Sequence, residues 1–169
     1  MRIDRAGLPF VAAAVAPAAG FAAARRYGLA ASFALLGGFF AYFFRDPERV
    51  VPSGEHLVVS TADGRVMIAG PAEEGSSPPG AWTQVAIFLS PLDVHINRSP
   101  VGGRITRIEY RPGRFLPAYD AHANENELNE IWVDADGTPV VFRQVVGILA
   151  RRIVCRVEEG QQAGLGDRS

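Results

Sequence analysis

Two uncharged stretches at the N-terminus constrain this chain more than any other feature. Residues 7 to 24 (GLPFVAAAVAPAAGFAAA) carry no charge, and after Arg25-Arg26-Tyr27 a second uncharged run covers residues 28 to 44 (GLAASFALLGGFFAYFF). Each is 17 or 18 residues long, at the short end of the roughly 17 to 25 apolar residues that a membrane-crossing helix needs. The first is mostly alanine and contains Pro9 and Pro17; the second is the more lipophilic, with Phe39, Phe40, Phe43 and Phe44 crowded at its end. Arg2 and Arg5 precede the pair, Arg25 and Arg26 divide it, and Arg45 and Arg49 follow it. Positive charge at every end leaves orientation undefined. The pattern predicts a hydrophobic helical hairpin over residues 1–48, as two short spans or two interfacial helices, against the alternatives of a cleaved signal peptide or a buried soluble hairpin. A second, stronger apolar run directly after the first favours retention over cleavage. The residues that remain are a small supply from which to cover both helices on all faces.

The charge balance narrows function by exclusion. With 17 Lys+Arg against 18 Asp+Glu and a net charge of -1, there is no basic excess for a nucleic-acid partner. All 17 basic residues are arginine. The absence of lysine rules out a pyridoxal-phosphate linkage, a biotin or lipoyl attachment point and a P-loop lysine. One cysteine, Cys155, has no partner for an internal disulfide or a zinc knuckle, and His56, His95 and His122 are too dispersed to suggest a metal site.

Past Arg45 the pattern changes to short β-branched runs separated by turns. Asp46-Pro47 breaks the second helix, and Pro52-Ser53-Gly54 reads as a turn. Strands are predicted at Leu57–Val59, Arg65–Ile68, Gln84–Leu89, Gly103–Ile108, Ile131–Val133, Val140–Phe142 and Ile153–Val157. Residues 49–169 therefore read as a mainly β domain, an antiparallel sandwich or barrel-like fold. Val157 to Gly166 resembles a hammerhead hairpin with paired glycines, and lacking lysine it cannot be a carrier domain.

Several polar groups stand out against this frame. Asp63 precedes Gly64 in Thr61-Ala62-Asp63-Gly64-Arg65, a turn signature. Ser90 to Pro100 (SPLDVHINRSP) follows an apolar strand and gathers Asp93, His95, Asn97 and Arg98. In extended geometry positions 93, 95 and 97 share one face, either lining a cleft or facing water. His122 lies in a polar stretch and reads as solvated, and His56 as an interfacial residue. Arg151 and Arg152 close an apolar element and suit a phosphate or a structural carboxylate. Ser76 and Ser77 after Gly75 read as linker.

Taken together, Phe44-Arg45-Asp46-Pro47, Ala62-Asp63-Gly64, the run Leu89 to Pro100, Asn126-Glu127 and the run Arg143 to Ile153 resemble the short, archaeal-type phosphatidylserine decarboxylases. The resemblance extends from about Phe39 onward. It implies a pyruvoyl enzyme of phospholipid biosynthesis, a proenzyme that cuts itself at a Gly-Ser bond and converts the new N-terminal serine into the pyruvoyl group. A ketone made from backbone agrees with a chain that has no lysine, and neither a metal nor pyridoxal phosphate is implied. By resemblance His95 occupies the position of the family's proton-handling histidine, and Asp63 that of the aspartate that orients the base in self-cleavage. Asp93, Asn97, Arg98, Arg151 and Arg152 are assigned to substrate binding. The implied partners are a small pyruvoyl-bearing α chain, phosphatidylserine and membrane lipid, with a homodimer of αβ units as an assembly and the cell membrane as location.

Two departures qualify the resemblance. The long members of the family carry a second histidine three residues after the first, where this chain has Arg98, which leaves His95 as the residue available for both steps. The family's cleaved Gly-Ser lies a short way beyond a stretch resembling Glu159 to Arg168, so the chain is expected to be the β portion, inactive without its α chain. The alternatives are a non-catalytic membrane-anchored lipid-binding remnant and a hammerhead-like adaptor domain of a membrane complex.

Overall fold

The computed structural model describes residues 2–54, 56–72, 77–117, 120, 122–148 and 150–169. The linker reading of Ser76 lies outside the described residues. Two compact units are present: Met1–Arg49 together with Leu89–His95, and Val50–Phe88 together with Ile96–Ser169.

In the first unit the uncharged runs are helices, α1 (Leu8–Ala23) and α2 (Tyr27–Phe43). Pro9 stands in the first turn of α1, where its missing N–H costs nothing, and Pro17 lies inside the helix. Arg25, with φ of 58°, turns the chain between them. The helices close on small residues: Ala14 is 1% exposed, and a methyl group on Gly37 would lie 3.1 Å from the Val15 side chain. Large apolar groups are left outside, among them Leu8, Phe10, Val15, Leu29, Leu36 and Phe39, with Leu35 77% exposed. The span Arg5–Ala23 is long and apolar enough, by length and composition, to cross a membrane.

A short ladder that the sequence pattern did not predict ties the open end of the helical pair. Strand β1 (Arg2–Ile3) runs antiparallel to β2 (Arg45–Asp46), and the Asp4 N–H donates to the Phe44 carbonyl at 2.8 Å. The Asp4 carboxylate then accepts the Ala6 N–H at 2.8 Å, opening the turn into α1.

The second unit is mainly β, as expected, and its strands β3 to β8 pair antiparallel, beside one isolated parallel bridge between Arg114 and Asn126. Strands β3 (Arg65–Pro71) and β4 (Thr83–Phe88) form a ribbon, and β5 (Gly103–Arg111), β6 (Leu128–Ala135), β7 (Thr138–Val145) and β8 (Gln162–Ala163) form a sheet ordered β7-β6-β5-β8. The Asp134-Gly137 turn joins β6 to β7, its Gly137 N–H bonded to the Asp134 carboxylate at 2.7 Å. One face of this sheet holds the core, built on Ile105, Ile131, Val133 and Phe142 with Val101, Val157 and Ala163. Ile105 and Ile108 are three apart yet both meet that core, because the register shifts between Ile105 and Arg107 and the bulge restores the alternation.

The opposite face is ionic. Glu130, 0% exposed, accepts from Arg143 Nε at 2.6 Å and from Trp132 Nε1 at 2.8 Å, with Arg111 Nη2 3.6 Å away. Arg107 and Arg111 bracket Glu109 on the same face, and Trp82 meets Trp132 edge-on at 5.7 Å.

Two predicted strands do not form among the described residues. Val59 gives its N–H to the Pro100 carbonyl at 2.9 Å, but Leu57–Val59 forms no ladder. Ile153–Val157 also forms no strand among the described residues; only Val157 of that run is buried, so its β-branched residues lack the half-buried surface that favours a strand.

Candidate functional site

In the helical unit, regular extended geometry gives way between Ser90 and His95. Pro91 and Leu92 form a turn in which the Asp93 N–H donates to the Ser90 carbonyl at 2.9 Å and the Ser90 N–H donates to the Asp93 carboxylate at 2.7 Å. Asp93 is thereby drawn back on its own turn and does not continue a flat strand face through position 95. That backbone donation, with the Ser90 hydroxyl beside it, holds the Asp93 carboxyl below its usual range. Val94 is buried, and the half-buried His95 ring returns to the Asp93 carbonyl, 3.0 Å from Nδ1.

A carbonyl oxygen can only accept, so in this contact Nδ1 carries the hydrogen and Nε2 of the neutral ring keeps its lone pair. The ring lies against Phe43 with centroids 4.2 Å apart and planes 29° from parallel. Burial pushes the His95 pKa below its ordinary value, outweighing the Asp93 carbonyl and carboxylate, which pull it up; Arg45 adds to the lowering. At neutral pH the arrangement is an uncharged imidazole with one nitrogen pinned and the other able to take up a proton and, once charged, to return it.

The remaining candidates fall in the β unit. Residues Asn97 to Val101 are laced on both sides. Toward one neighbour the Arg98 N–H donates to the Thr61 carbonyl at 2.8 Å. Toward the other, Ser99 donates to Asp167 at 2.7 Å, Gly166 to Ser99 at 2.9 Å and Ser169 to Asn97 at 3.0 Å, all through backbone groups. The Arg98 guanidinium donates to the Gly166 carbonyl at 3.0 Å, an assignment of Arg98 to fixing this ladder that its charge alone did not suggest.

Asp63 is half-buried two residues beyond Thr61, in a bend that requires the glycine after it. Gly64 has φ of 138°, and a methyl group there would stand 2.3 Å from the Phe88 carbonyl oxygen. Arg151, exposed, donates from Nε to the Ile148 carbonyl at 2.8 Å and lies 5.6 Å from the Phe115 ring centre; Arg152 is exposed as well. His122 is exposed beside Glu125, as its polar setting led us to expect.

Sequence reasoning missed a buried polar chain at one end of the sheet's core face. Asn129 Nδ2 reaches Gln144 Oε1 at 3.4 Å, and Gln144 Nε2 donates to the Ser169 carbonyl at 3.3 Å; all three residues are under a tenth exposed. The Ser169 hydroxyl is enclosed and has no hydrogen-bond partner among the described residues. The signal was available in the alternation: Asn129 stands two residues from Ile131 and Gln144 two from Phe142, on the phase that elsewhere faces the core. Asn126, also buried, has a different task, clamping the carbonyls of Leu116 and Val146 at 2.9 and 3.0 Å.

Comparison with known proteins gives a consistent result. The family model described as phosphatidylserine decarboxylase matches residues 36–169. A relative named phosphatidylserine decarboxylase proenzyme from Symbiobacterium thermophilum is 47% identical over 171 residues, covering 96% of this chain and 79% of its own length. Those of the same name from Pelodictyon phaeoclathratiforme and Chlorobaculum tepidum are each 44% identical, over 142 and 131 residues. They cover 83% and 77% of this chain, which in turn spans only 64% and 60% of theirs.

Proposed function

The chain belongs to the phosphatidylserine decarboxylase family, and on that premise we propose that it acts in the decarboxylation of phosphatidylserine to phosphatidylethanolamine at a membrane surface, as the larger chain of an enzyme made as a proenzyme. The observation that carries this reading beyond family membership is the state of His95, an uncharged imidazole with a bare Nε2 held at the end of the second apolar helix.

Loss of CO2 leaves an electron pair on the former α-carbon, and a proton must reach that carbon before product leaves. His95 Nε2 serves this step. With its pKa lowered, the ring rests neutral, takes up one proton during the cycle and, as a comparatively strong acid once charged, gives it readily to carbon. The Nδ1 bond to the Asp93 carbonyl fixes the tautomer and the ring direction while this happens. Asp63 is assigned to maturation, and Arg151 and Arg152 to the headgroup phosphate, where guanidinium groups bind with paired donors.

A pyruvoyl group, which the family implies, would supply a ketone that takes up the headgroup amine and withdraws electrons from the carbon losing CO2. The residues present fit it: such a ketone needs no side-chain amine, and the enclosed Ser169 hydroxyl, with buried Gln144 bonded to the same residue's carbonyl, offers polar atoms to hold it. We place the serine that gives rise to it outside residues 1–169, in the length of the relatives that this chain does not span. The α1–α2 pair, with its large side chains exposed, seats in the cell membrane where the substrate resides.

Intact-mass spectrometry of the protein purified from its native membrane, with release of labelled CO2 from phosphatidylserine vesicles, tests the proposal. The expected result is a second, smaller chain blocked at its N-terminus by a pyruvoyl group, together with turnover. A single unblocked chain that binds vesicles and releases no CO2 would leave a lipid-binding remnant instead.

A further inference from the structure

The last turn of α2 and the Ser90–His95 loop are built as one piece. Arg45 is the connector. Its Nη1 donates to the Tyr42 carbonyl at 2.8 Å, its Nη2 to the Leu92 carbonyl at 2.7 Å, and its guanidinium carbon lies 3.8 Å from the centre of the Tyr42 ring. One planar cation thus bonds both a carbonyl at the helix end, to which the Phe44 N–H also turns, and a carbonyl of the loop that carries His95.

Beside it, Phe43 covers a face of the His95 ring. Phe44 fixes the position of this turn: its ring stacks on Phe10 at 5.3 Å, and it lies so close to Gly7 that a methyl group there would come within 2.2 Å of the Phe44 ring. The register runs from the start of α1, through Phe44 to Phe43 and Arg45, and so to the imidazole. A tether that only held the chain to lipid would need none of these contacts.

We propose that Phe43 and Arg45 are positioning residues for His95, so that the end of the apolar helical pair is a structural part of the decarboxylation site and not only an anchor. The inference rests on the reading of His95 as the proton-handling group. Phe43 excludes water from one face of the ring, and Arg45 fixes the depth and direction of its loop. The charged groups facing the imidazole are Asp93 from its own loop and Arg45 from the helix end. Neither changes when Phe43 is replaced, which isolates the aromatic contribution.

The test uses Phe43→Leu, which keeps the helix apolar, Phe43→Tyr, which restores a ring, and Arg45→Lys, which keeps the charge but loses the fork. Each is made in the full-length enzyme in nanodiscs containing phosphatidylserine. Nitrogen-15 spectra of the histidines report the ring directly, and with only three histidines in the chain His95 is assigned from a His95→Gln control. In Phe43→Leu the His95 titration should rise toward the ordinary value of about 6.5, the limb of the kcat profile governed by it should move with it, and kcat should fall by about ten to a hundredfold with KM unchanged. Phe43→Tyr should restore the native titration and rate. Arg45→Lys should lower kcat without moving the titration down.

A His95 titration that is the same in Phe43→Leu as in the native enzyme would overturn the proposal. Full turnover by His95→Gln would instead overturn the functional reading on which it rests, and the two failures are separable because the spectra do not depend on activity.

Discussion

The helical pair and the four-stranded sheet use apolar side chains in opposite ways. In α1 and α2 the buried residues are small, Ala14 and Gly37, and the large ones, Leu35 above all, are exposed. In the sheet Ile105, Ile131 and Val133 are no more than 1% exposed, and charge is placed on the other face around Glu130. Hydrophobic content alone does not distinguish the two regions; the direction in which it points does. A surface that presents leucine and phenylalanine outward is stable against lipid, whereas one that hides isoleucine and valine is stable against water.

The largest expected effect that sharpens this contrast is at Glu130. Removing one partner of a buried ion pair strands the other, so Glu130→Ala should destabilise the β unit by about 3–5 kcal/mol. Both tryptophans, Trp82 and Trp132, belong to that unit, so denaturant unfolding followed by tryptophan fluorescence reports on it selectively. An unchanged midpoint would mean the ionic face contributes nothing.

Substitutions at one apolar position in each region, Ile131 and Leu35, should separate the regions next. Ile131→Ala, at 0% exposure, should cost about 2–5 kcal/mol of stability. Leu35→Asp, near the middle of α2, should leave the tryptophan transition in place yet weaken membrane insertion by about 2.5–3.5 kcal/mol, read as release of protein from membranes by high-salt wash. Firm retention of Leu35→Asp would break the comparison.

The smallest effect is a pH slope at the end of the helical pair. Because the His95 pKa is lowered in the folded state, the native protein binds fewer protons than the unfolded chain between that lowered value and about 6.5. Stability should therefore be level above about pH 6.5, decline as pH falls through that window, and decline less in His95→Gln. Unfolding followed by helical ellipticity checks this, and equal slopes in the two proteins would contradict it.

Much of this architecture was legible from residue pattern. Runs without charge gave α1 and α2, and β-branched segments between turn residues gave β3 to β7, because in both cases local preference and burial agree. Strand expectation failed at Ile153–Val157, where the residues are suitable but no ladder forms among the described residues, which no local pattern records. The ladder of β1 with β2 went unseen because two residues at each end carry no periodicity.

In the site, the motif from Leu89 to Pro100 marked His95, but not the turn that draws Asp93 back onto Ser90 or the guanidinium of Arg98 that is committed to Gly166. Such contacts depend on where distant carbonyls arrive. Asn129 and Gln144 could have been found, since amide side chains on the core phase of a strand demand partners.

Decarboxylation of phosphatidylserine vesicles in heavy water by the full-length enzyme, native and His95→Ala, tests the central claim most directly. The native enzyme should release CO2 and leave one deuterium on the former α-carbon, and His95→Ala should lose this turnover by at least about a hundredfold while keeping its tryptophan unfolding transition. Turnover by His95→Ala at the native rate, with deuterium incorporated as before, would contradict the account.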